Sequence, residues 1–570
     1  MRFRNARGRS LVLLVAVAIG ALGVTALAGA HHSPGFKTSQ ASMIDPVAPG
    51  WTTEPIITVG ETLPGTSYKF ESIPDGIALS KGRHGKVEAY VNHETSTVPF
   101  PFTPATGVGF NDFTNSLLSK LTLNRKTGGV LDGKYAIPHE ANYQRFCSNF
   151  IVGREHGFDR PVVFTGEEAI DWVNRTGVAW PATVGADEAR QAGVVVAYDV
   201  ERREFHTIWG LGRYNHENSV AIPGYRKPVI LSTDDTFVSN PVQSQLYSYI
   251  ADDRRDVLKD RGDLWAFVSD NPLVNDYYDF PIGSTMEVSG HFVKVPKDIA
   301  TGRNPDGTDL MAADKGFPAP PNDGTWQRGP DGVTGLDGPQ WVLEHWSDMN
   351  SVFQFVRLED VAYDRRHSNV VYIADTGRGA TSAGGNAFTS TNGRIWKLVL
   401  DKKDPKSAKL SILVEGDDNP VKTLDEIHQP DNLESTKDGL FVTEDPGSSQ
   451  QFPFGSTDPN ATTARLWHVD LGSGAKTVIA KVNQSADEGP TDKDATTTRG
   501  NLGAWESSGI VDASKFFGKG AYLIDVQAGT LVVEEEQRGT LTYQREGGQL
   551  LLLRAPHQGH DDDDDADDDD

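Results

Sequence analysis

Six times along the chain a short apolar segment ends on an acidic residue: 87–94 (VEAYVNHE), 162–168 (VVFTGEE), 228–235 (PVILSTDD), 369–375 (NVVYIAD), 439–445 (GLFVTED) and 520–525 (GAYLID). Each is followed by a second alternating segment, at 117–123, 193–200, 244–250, 393–400, 464–470 and 548–554. Period-two alternation with many β-branched residues predicts antiparallel strands. No long stretch after the first thirty residues sustains a helical period, so the expected class is all-β.

A shorter segment with its own polar residue precedes each pair: Pro74-Asp75-Gly76-Ile77, Arg145-Phe146-Cys147-Ser148, Asn215-His216-Glu217-Asn218, Arg357-Leu358-Glu359-Asp360, Gln429-Pro430-Asp431-Asn432 and Glu506-Ser507-Ser508-Gly509. Positions 75, 147, 217, 359, 431 and 506 lie 72, 70, 142, 72 and 75 residues apart, and 142 is close to two periods. Self-similarity on this scale predicts a six-bladed β-propeller with loop insertions. Residues 252–350 then hold either a seventh blade or one large insertion. The Gly, Pro and Asp content of 301–339 favours the insertion. The expected organisation is a signal peptide at 1–30, a lead-in at 31–60, the propeller at 61–556 and an acidic tail at 557–570.

The ends of the chain add a compartment. Arg2, Arg4, Arg7 and Arg9 precede an apolar run from Leu11 to Leu27 and the small residues Ala28-Gly29-Ala30, the pattern of a secretory signal cleaved near His31. The same run is about the shortest stretch, ~17 residues, that could stay as an anchor; cleavage is the expectation, with a secreted product not held at a membrane. The formal charge of −25 over 570 residues argues against nucleic acid and anionic membrane as partners and favours bound cations. Cys147 is the one cysteine, so it cannot close an intramolecular bridge. The thiol is either buried as a small hydrophobe, paired with another molecule, or a ligand.

In a propeller the first strand of every blade lines the central channel, so Asp75, Cys147, Glu217, Glu359, Asp431 and Glu506 are expected to face one another. Carboxylates converging without cations repel strongly in a partly dry site, and a metal cluster relieves that repulsion. Glu167, Glu168, Glu217, Glu359 and Asp431 offer oxygen donors suited to Ca2+, and a Cys147 thiolate suits a softer transition metal. Any one of these carboxylates alone reads better as a solvated turn or an Asx-turn; their recurrence at matched positions favours the site.

Arg357 stands two residues before Glu359 and shares its strand face. A guanidinium there fits bidentate binding of phosphate oxygens, or a structural ion pair with Glu359 or Asp360. Glu94, Asp75 and Glu506 are supporting candidates. His93, His216 and His428 each adjoin an acidic or amide residue without the spacing of zinc hydrolases, so they read as carboxylate support or as packing. No nucleophile elbow, phosphate-binding glycine loop or dinucleotide fingerprint is present.

At these motifs the chain resembles the PhoX family of secreted alkaline phosphatases, in its broad actinobacterial-like branch. The likeness runs from about residue 60 to 555. It is carried by 90–94 (YVNHE), the Cys147 segment with 164–168 (FTGEE), 212–217 (GRYNHE), 357–360 (RLED), 428–432 (HQPDN) and 504–508 (AWESS). The resemblance implies a six-bladed propeller with a mixed Fe3+ and Ca2+ cofactor. Cys147 would be the iron ligand, Glu167 and Glu168 the paired glutamates, Glu217, Glu359 and Asp431 the remaining acidic ligands, and Arg357 the phosphate-binding arginine. A monomer acting on a small phosphomonoester is the expectation. The rival expectations are a calcium-stabilised binding propeller without catalysis and a calcium-dependent lactonase or phytase-like hydrolase.

Overall fold

The structure is a computed structural model that describes residues 33–97, 110–169, 172–174, 189–236, 241–320, 337–377, 392–417, 424–445, 462–484, 505–539 and 541–556. Residues 1–32 and 557–570, where the expected signal peptide and acidic tail fall, lie outside the described residues. The chain from Pro34 onward forms one compact unit.

Six opening strands are labelled in chain order: β1 Pro74–Lys81, β2 Phe146–Val152, β3 His216–Ala221, β4 Leu358–Tyr363, β5 Pro430–Ser435 and β6 Glu506–Asp512. Each starts an antiparallel sheet whose next member is the segment that the sequence ends on an acid. The expected all-β class is therefore what the residues form. Neighbouring opening strands pack in the order β1, β2, β3, β4, β5, β6 and back to β1.

Six apolar clusters fill the spaces between successive sheets, the last lying between the sixth and the first. Leu550 and Leu552 join the cluster against the first sheet, while Leu551 and Leu553 join the cluster against the fifth. A strand buried on both faces reads as a continuous apolar run, and alternate residues serve opposite sides. Each such leucine contributes about 1.5–3 kcal/mol by burial.

Two parts of the layout differ from a simple repeat. The lead-in stretch supplies two strands: Ile44–Pro46 pairs with Lys476–Val482 of the fifth sheet, and Thr52–Thr58 pairs with Leu541–Arg554 of the sixth. The 252–350 region forms no separate four-stranded sheet among the described residues. Its strand Asp263–Ser269 is the outer strand of the third sheet, and Glu287–Lys294 pairs both with it and with Ser407–Glu415 of the fourth. The third and fourth sheets thereby merge into one of nine strands. Helix Pro339–Met349, with proline in its first turn, buries Trp341, Val342, Leu343 and Trp346 between the second and third sheets.

Candidate metal centre

Every opening strand carries the same irregularity. In β1, Pro74 pairs with His93 and Ile77 with Val91, so Asp75 and Gly76 together oppose Asn92. The same two-against-one step places Cys147 and Ser148 opposite Gly166, Glu217 and Asn218 opposite Thr233, Glu359 and Asp360 opposite Ala374, and Asp431 and Asn432 opposite Thr443. In β6 the pair is Ser508 and Gly509, opposite Asp525. A β-bulge of this kind bends the strand and re-aims its side chains. Five of the six bulges thus present an acidic residue or the cysteine.

These side chains meet. Donor atoms of Asp75, Glu94 and Cys147 lie within 4.8 Å of one another, as do those of Cys147, Glu168 and Glu217, and those of Glu217, Glu359 and Asp431. The three groups share Cys147 and Glu217 and so form one continuous array. The Cys147 thiol donates to Asp75 Oδ2 at 2.8 Å, and Ser508 Oγ donates to Asp75 Oδ1 at 2.7 Å. Ser148 Oγ donates to Glu217 Oε1 at 2.6 Å and accepts from Asn432 Nδ2 at 2.7 Å. Asn218 Nδ2 donates to Asp360 Oδ1 at 2.5 Å, and Asp360 Oδ2 accepts the Leu433 amide at 2.8 Å. Bulge residues of different sheets thereby brace one another, Ser148 and Ser508 acting directly on the expected ligands Glu217 and Asp75.

Backbone strain surrounds the array. Ile73, Arg145 and Gln429, each one residue before an opening strand, have φ of 48°, 41° and 48°, a left-handed region that costs non-glycine residues energy and gathers at functional sites.

Burial dominates the electrostatics. It pushes the carboxyls of Glu168, Glu217, Glu359 and Asp431 well above their ordinary range, with the neighbouring acids adding to the push. Burial and Asp75 raise Glu94 to about 8. The Cys147 thiol is pushed up by burial, then by Asp75 and Glu217. Glu217 Oε2 and Asp431 Oδ2 are buried without a hydrogen-bond partner. An orphaned buried carboxylate oxygen is expensive, and a cation is the partner this donor set fits.

Arg357 lies against the array. Its Nε and Nη2 donate to the two oxygens of Asp235 at 2.9 and 2.7 Å, Nη2 also to Glu359 Oε1 at 2.7 Å, and Nη1 to Asp445 Oδ2 at 3.3 Å. Asp235 and Asp445 each follow a second strand by one residue, as Glu94 and Glu168 do. Four of the six acidic strand ends visible in the sequence therefore gather here, Glu94 and Glu168 within the array and Asp235 and Asp445 against Arg357; Asp235 and Asp445 were missed as site residues.

Glu167, expected as a ligand beside Glu168, faces elsewhere. Its Oε1 accepts the Gln144 amide at 2.9 Å and its Oε2 the Val194 amide at 3.2 Å. Asp375 and Glu444 stand at the matched position and accept the amides of Val356 and His428. In three sheets this carboxylate clasps the amide three residues before the bulge, which fixes the approach to Cys147, Glu359 and Asp431. Adjacent strand residues point to opposite faces, so Glu167 and Glu168 cannot share one job.

Glu506 pairs with Gln527, two residues short of the bulge that Ser508 occupies. It borders the array instead, hydrogen-bonded to Asp431. Among the described residues His216 contacts no carboxylate: its ring nitrogens meet Ser232 Oγ and Gly212 O, each at 3.2 Å, and burial pushes it down to about 3. His93 likewise meets Ser72 O and Ser119 Oγ. Both rings anchor strand starts or ends.

Comparison with known proteins adds an independent line. The family model described as alkaline phosphatase PhoX matches residues 168–467, more than half of the chain. That span includes Glu168, Glu217, Arg357, Glu359 and Asp431, while Asp75, Glu94, Cys147 and Glu506 lie outside it. Pseudomonas fluorescens PhoX, solved in complex with vanadate, a transition state analogue, has a similar structure at 14% identity and a TM-score of 0.53, covering 91% of this chain and 98% of that one. A protein of unknown function from Dyadobacter fermentans aligns at 8% identity and a TM-score of 0.38, covering 89% of this chain and 100% of that one. A search of curated protein sequences found no match.

Proposed function

The chain belongs to the alkaline phosphatase PhoX family, and on that premise we propose that it hydrolyses small phosphomonoesters at a metal centre held by Asp75, Cys147, Glu168, Glu217, Glu359 and Asp431. The observation that carries this reading is the continuous array of their donor atoms. A six-bladed propeller is the architecture we infer for the scaffold. It is supported by the closed succession of opening strands and by the apolar cluster between each pair of neighbouring sheets.

Hard carboxylate oxygens with one sulfur suit calcium together with iron, and Cys147 would hold the iron. Bound cations supply charge neutralisation for the phosphoryl oxygens and activation of the attacking oxygen. The chain's own groups do the rest. Asp235 fixes the plane of Arg357 through two parallel bonds, which orients the guanidinium for an in-line phosphoryl transfer. The Nη1 contact to Asp445 at 3.3 Å is the one a phosphate oxygen would replace. Ser148, Asn432 and Ser508 hold Glu217 and Asp75 in place.

The basic, apolar and small-residue order of the first thirty residues supports export. The test is release of phosphate from p-nitrophenyl phosphate by protein loaded with iron and calcium. Turnover at alkaline pH is the expected result; no turnover with both metals bound would reject the proposal.

A further inference from the structure

Arg357 departs from the residues that hold its place in other sheets. The residue two before the bulge is Ile73 in the first sheet, Arg145 in the second, Arg357 in the fourth and Gln429 in the fifth. In each, its carbonyl accepts the amide that follows the second strand, from Glu94 at 2.9 Å, Glu168 at 2.9 Å, Thr376 at 2.8 Å and Asp445 at 3.0 Å. Ile73, Arg145 and Gln429 have φ of 48°, 41° and 48°, and Arg357 stays out of that left-handed region. The amides divide in the same way. Arg145 N donates to Thr95 O at 3.1 Å and Gln429 N to Asn392 O at 2.7 Å, whereas Arg357 N donates to a side chain, Asp375 Oδ1, at 3.2 Å.

Asp375 ends strand Val370–Asp375 and is fully buried. Its Oδ1 also accepts the Gly377 amide at 3.2 Å, and its Oδ2 accepts the Val356 amide at 3.3 Å and Trp396 Nε1 at 3.1 Å. Thr376, the next residue, takes the Arg357 carbonyl and donates from Oγ1 to Pro430 O at 2.6 Å. Both peptide groups of Arg357 are thus gripped by consecutive residues of one strand end, while Asp235, Glu359 and Asp445 hold its guanidinium. Glu167 and Glu444 hold the matched position in the second and fifth sheets and take the amide three before the bulge. An aspartate, one methylene shorter, lies close enough to the backbone to take two successive amides.

Asp375 is itself steadied from behind. The indole N–H is the one donor Trp396 has, and its buried ring meets Phe280 and Tyr277 edge-on at 5.0 and 5.6 Å between centroids. Arg394 ties the same turn of the 252–350 region to the fourth sheet by donating to the carbonyls of Tyr277 and Phe280 at 2.6 and 3.1 Å.

Resting on the phosphomonoesterase reading above, we infer that Asp375 is a positioning residue for Arg357, its carboxylate setting the backbone from which the guanidinium reaches a phosphate oxygen. Asp375 touches no substrate; it acts through the arginine. Misplacing a group at the reacting centre by about 1 Å costs on the order of 100-fold in rate, so a partial release of the Arg357 backbone has room to show.

The test measures p-nitrophenyl phosphate turnover and calorimetric binding of inorganic phosphate in metal-loaded wild type, Asp375→Asn and Asp375→Glu, each also made in the Arg357→Lys background. Asn places a donor against the surrounding N–H groups. Glu keeps the charge and the clasp that Glu444 makes in the fifth sheet, so it decides the matter if the Asn variant does not fold. In both, kcat/KM is expected to fall about tenfold, mostly through KM, and the phosphate Kd to rise by a similar factor, with iron and calcium content unchanged. In the Arg357→Lys background, where the planar fork is already gone, the same substitutions are expected to change either quantity by less than about twofold. Equal losses in the two backgrounds, or no loss in either, overturn the inference while the phosphatase reading stands. A wild type that binds phosphate through Arg357 and Asp375 but does not hydrolyse the ester overturns the phosphatase reading and keeps the positioning role. A metal-loaded wild type that does neither overturns both.

Discussion

Asn432 Nδ2 donates to Ser148 Oγ at 2.7 Å although 284 residues separate them. The bond joins the bulge of the fifth sheet to that of the second, and Ser148 passes it on to Glu217 at 2.6 Å. Because each is the second residue of a bulge whose first residue is an expected ligand, the bond sets how far apart Asp431, Cys147 and Glu217 can stand. Ser148→Ala is expected to weaken metal retention about 10- to 100-fold, the usual cost of losing support behind a ligand. Metal content after dialysis against a graded chelator series measures this, while unchanged circular dichroism excludes unfolding.

Glu167 and Glu168 make a sharper pair. Glu168→Gln is expected to lower metal content with little loss of fold. Glu167→Gln is expected to keep the metals and lose about 1–3 kcal/mol of stability, since a charged acceptor of buried amides becomes a neutral one. Elemental analysis alongside thermal unfolding separates the two, and equal metal loss in both would contradict the assignment.

Arg357→Lys keeps the positive charge among Asp235, Glu359 and Asp445 but removes the planar fork. A drop in kcat/KM on p-nitrophenyl phosphate of about 100-fold or more is expected with metals retained, because a point charge cannot replace bidentate contacts. Steady-state kinetics with parallel metal analysis checks it.

Metal-free protein should lose stability as pH rises toward 8. Burial raises Glu94 from 4.5 to about 8 and Asp360 from 3.8 to about 7. Between their unfolded and folded values these groups are protonated when folded and ionised when unfolded, so the folded state binds more protons and stability falls with pH. His93 and His216, pushed down by burial to about 4 and about 3, work in the opposite direction, but only below their unfolded value of 6.5. From about 6.5 to 8 the carboxyls act alone, each worth on the order of 1 kcal/mol per pH unit until its folded value is reached. Melting temperatures across that window are expected to fall without metals and to flatten with iron and calcium bound.

Much of this was legible in the chain because it is written once per repeat. The alternating segments gave the strands, the ≈72-residue spacing gave five of the six bulge positions, and the strand-end acids Glu94, Glu168, Asp235 and Asp445 were visible before any contact was known. What could not be read was register. A bulge inserts one residue, so Glu506 looked like the sixth member of a series that Ser508 completes. Glu167 and Glu168 look equivalent in sequence, and only the strand's alternation sends one to amides and the other to the array. The merging of the third and fourth sheets through Glu287–Lys294 likewise depends on distant pairing that no local pattern announces.

The most direct test of the centre is elemental analysis of the folded protein beside its Cys147→Ala variant. Iron and calcium are expected in the wild type, with iron lost and calcium partly kept when the thiol is removed. A wild type that binds neither metal, with its fold intact, would contradict the account.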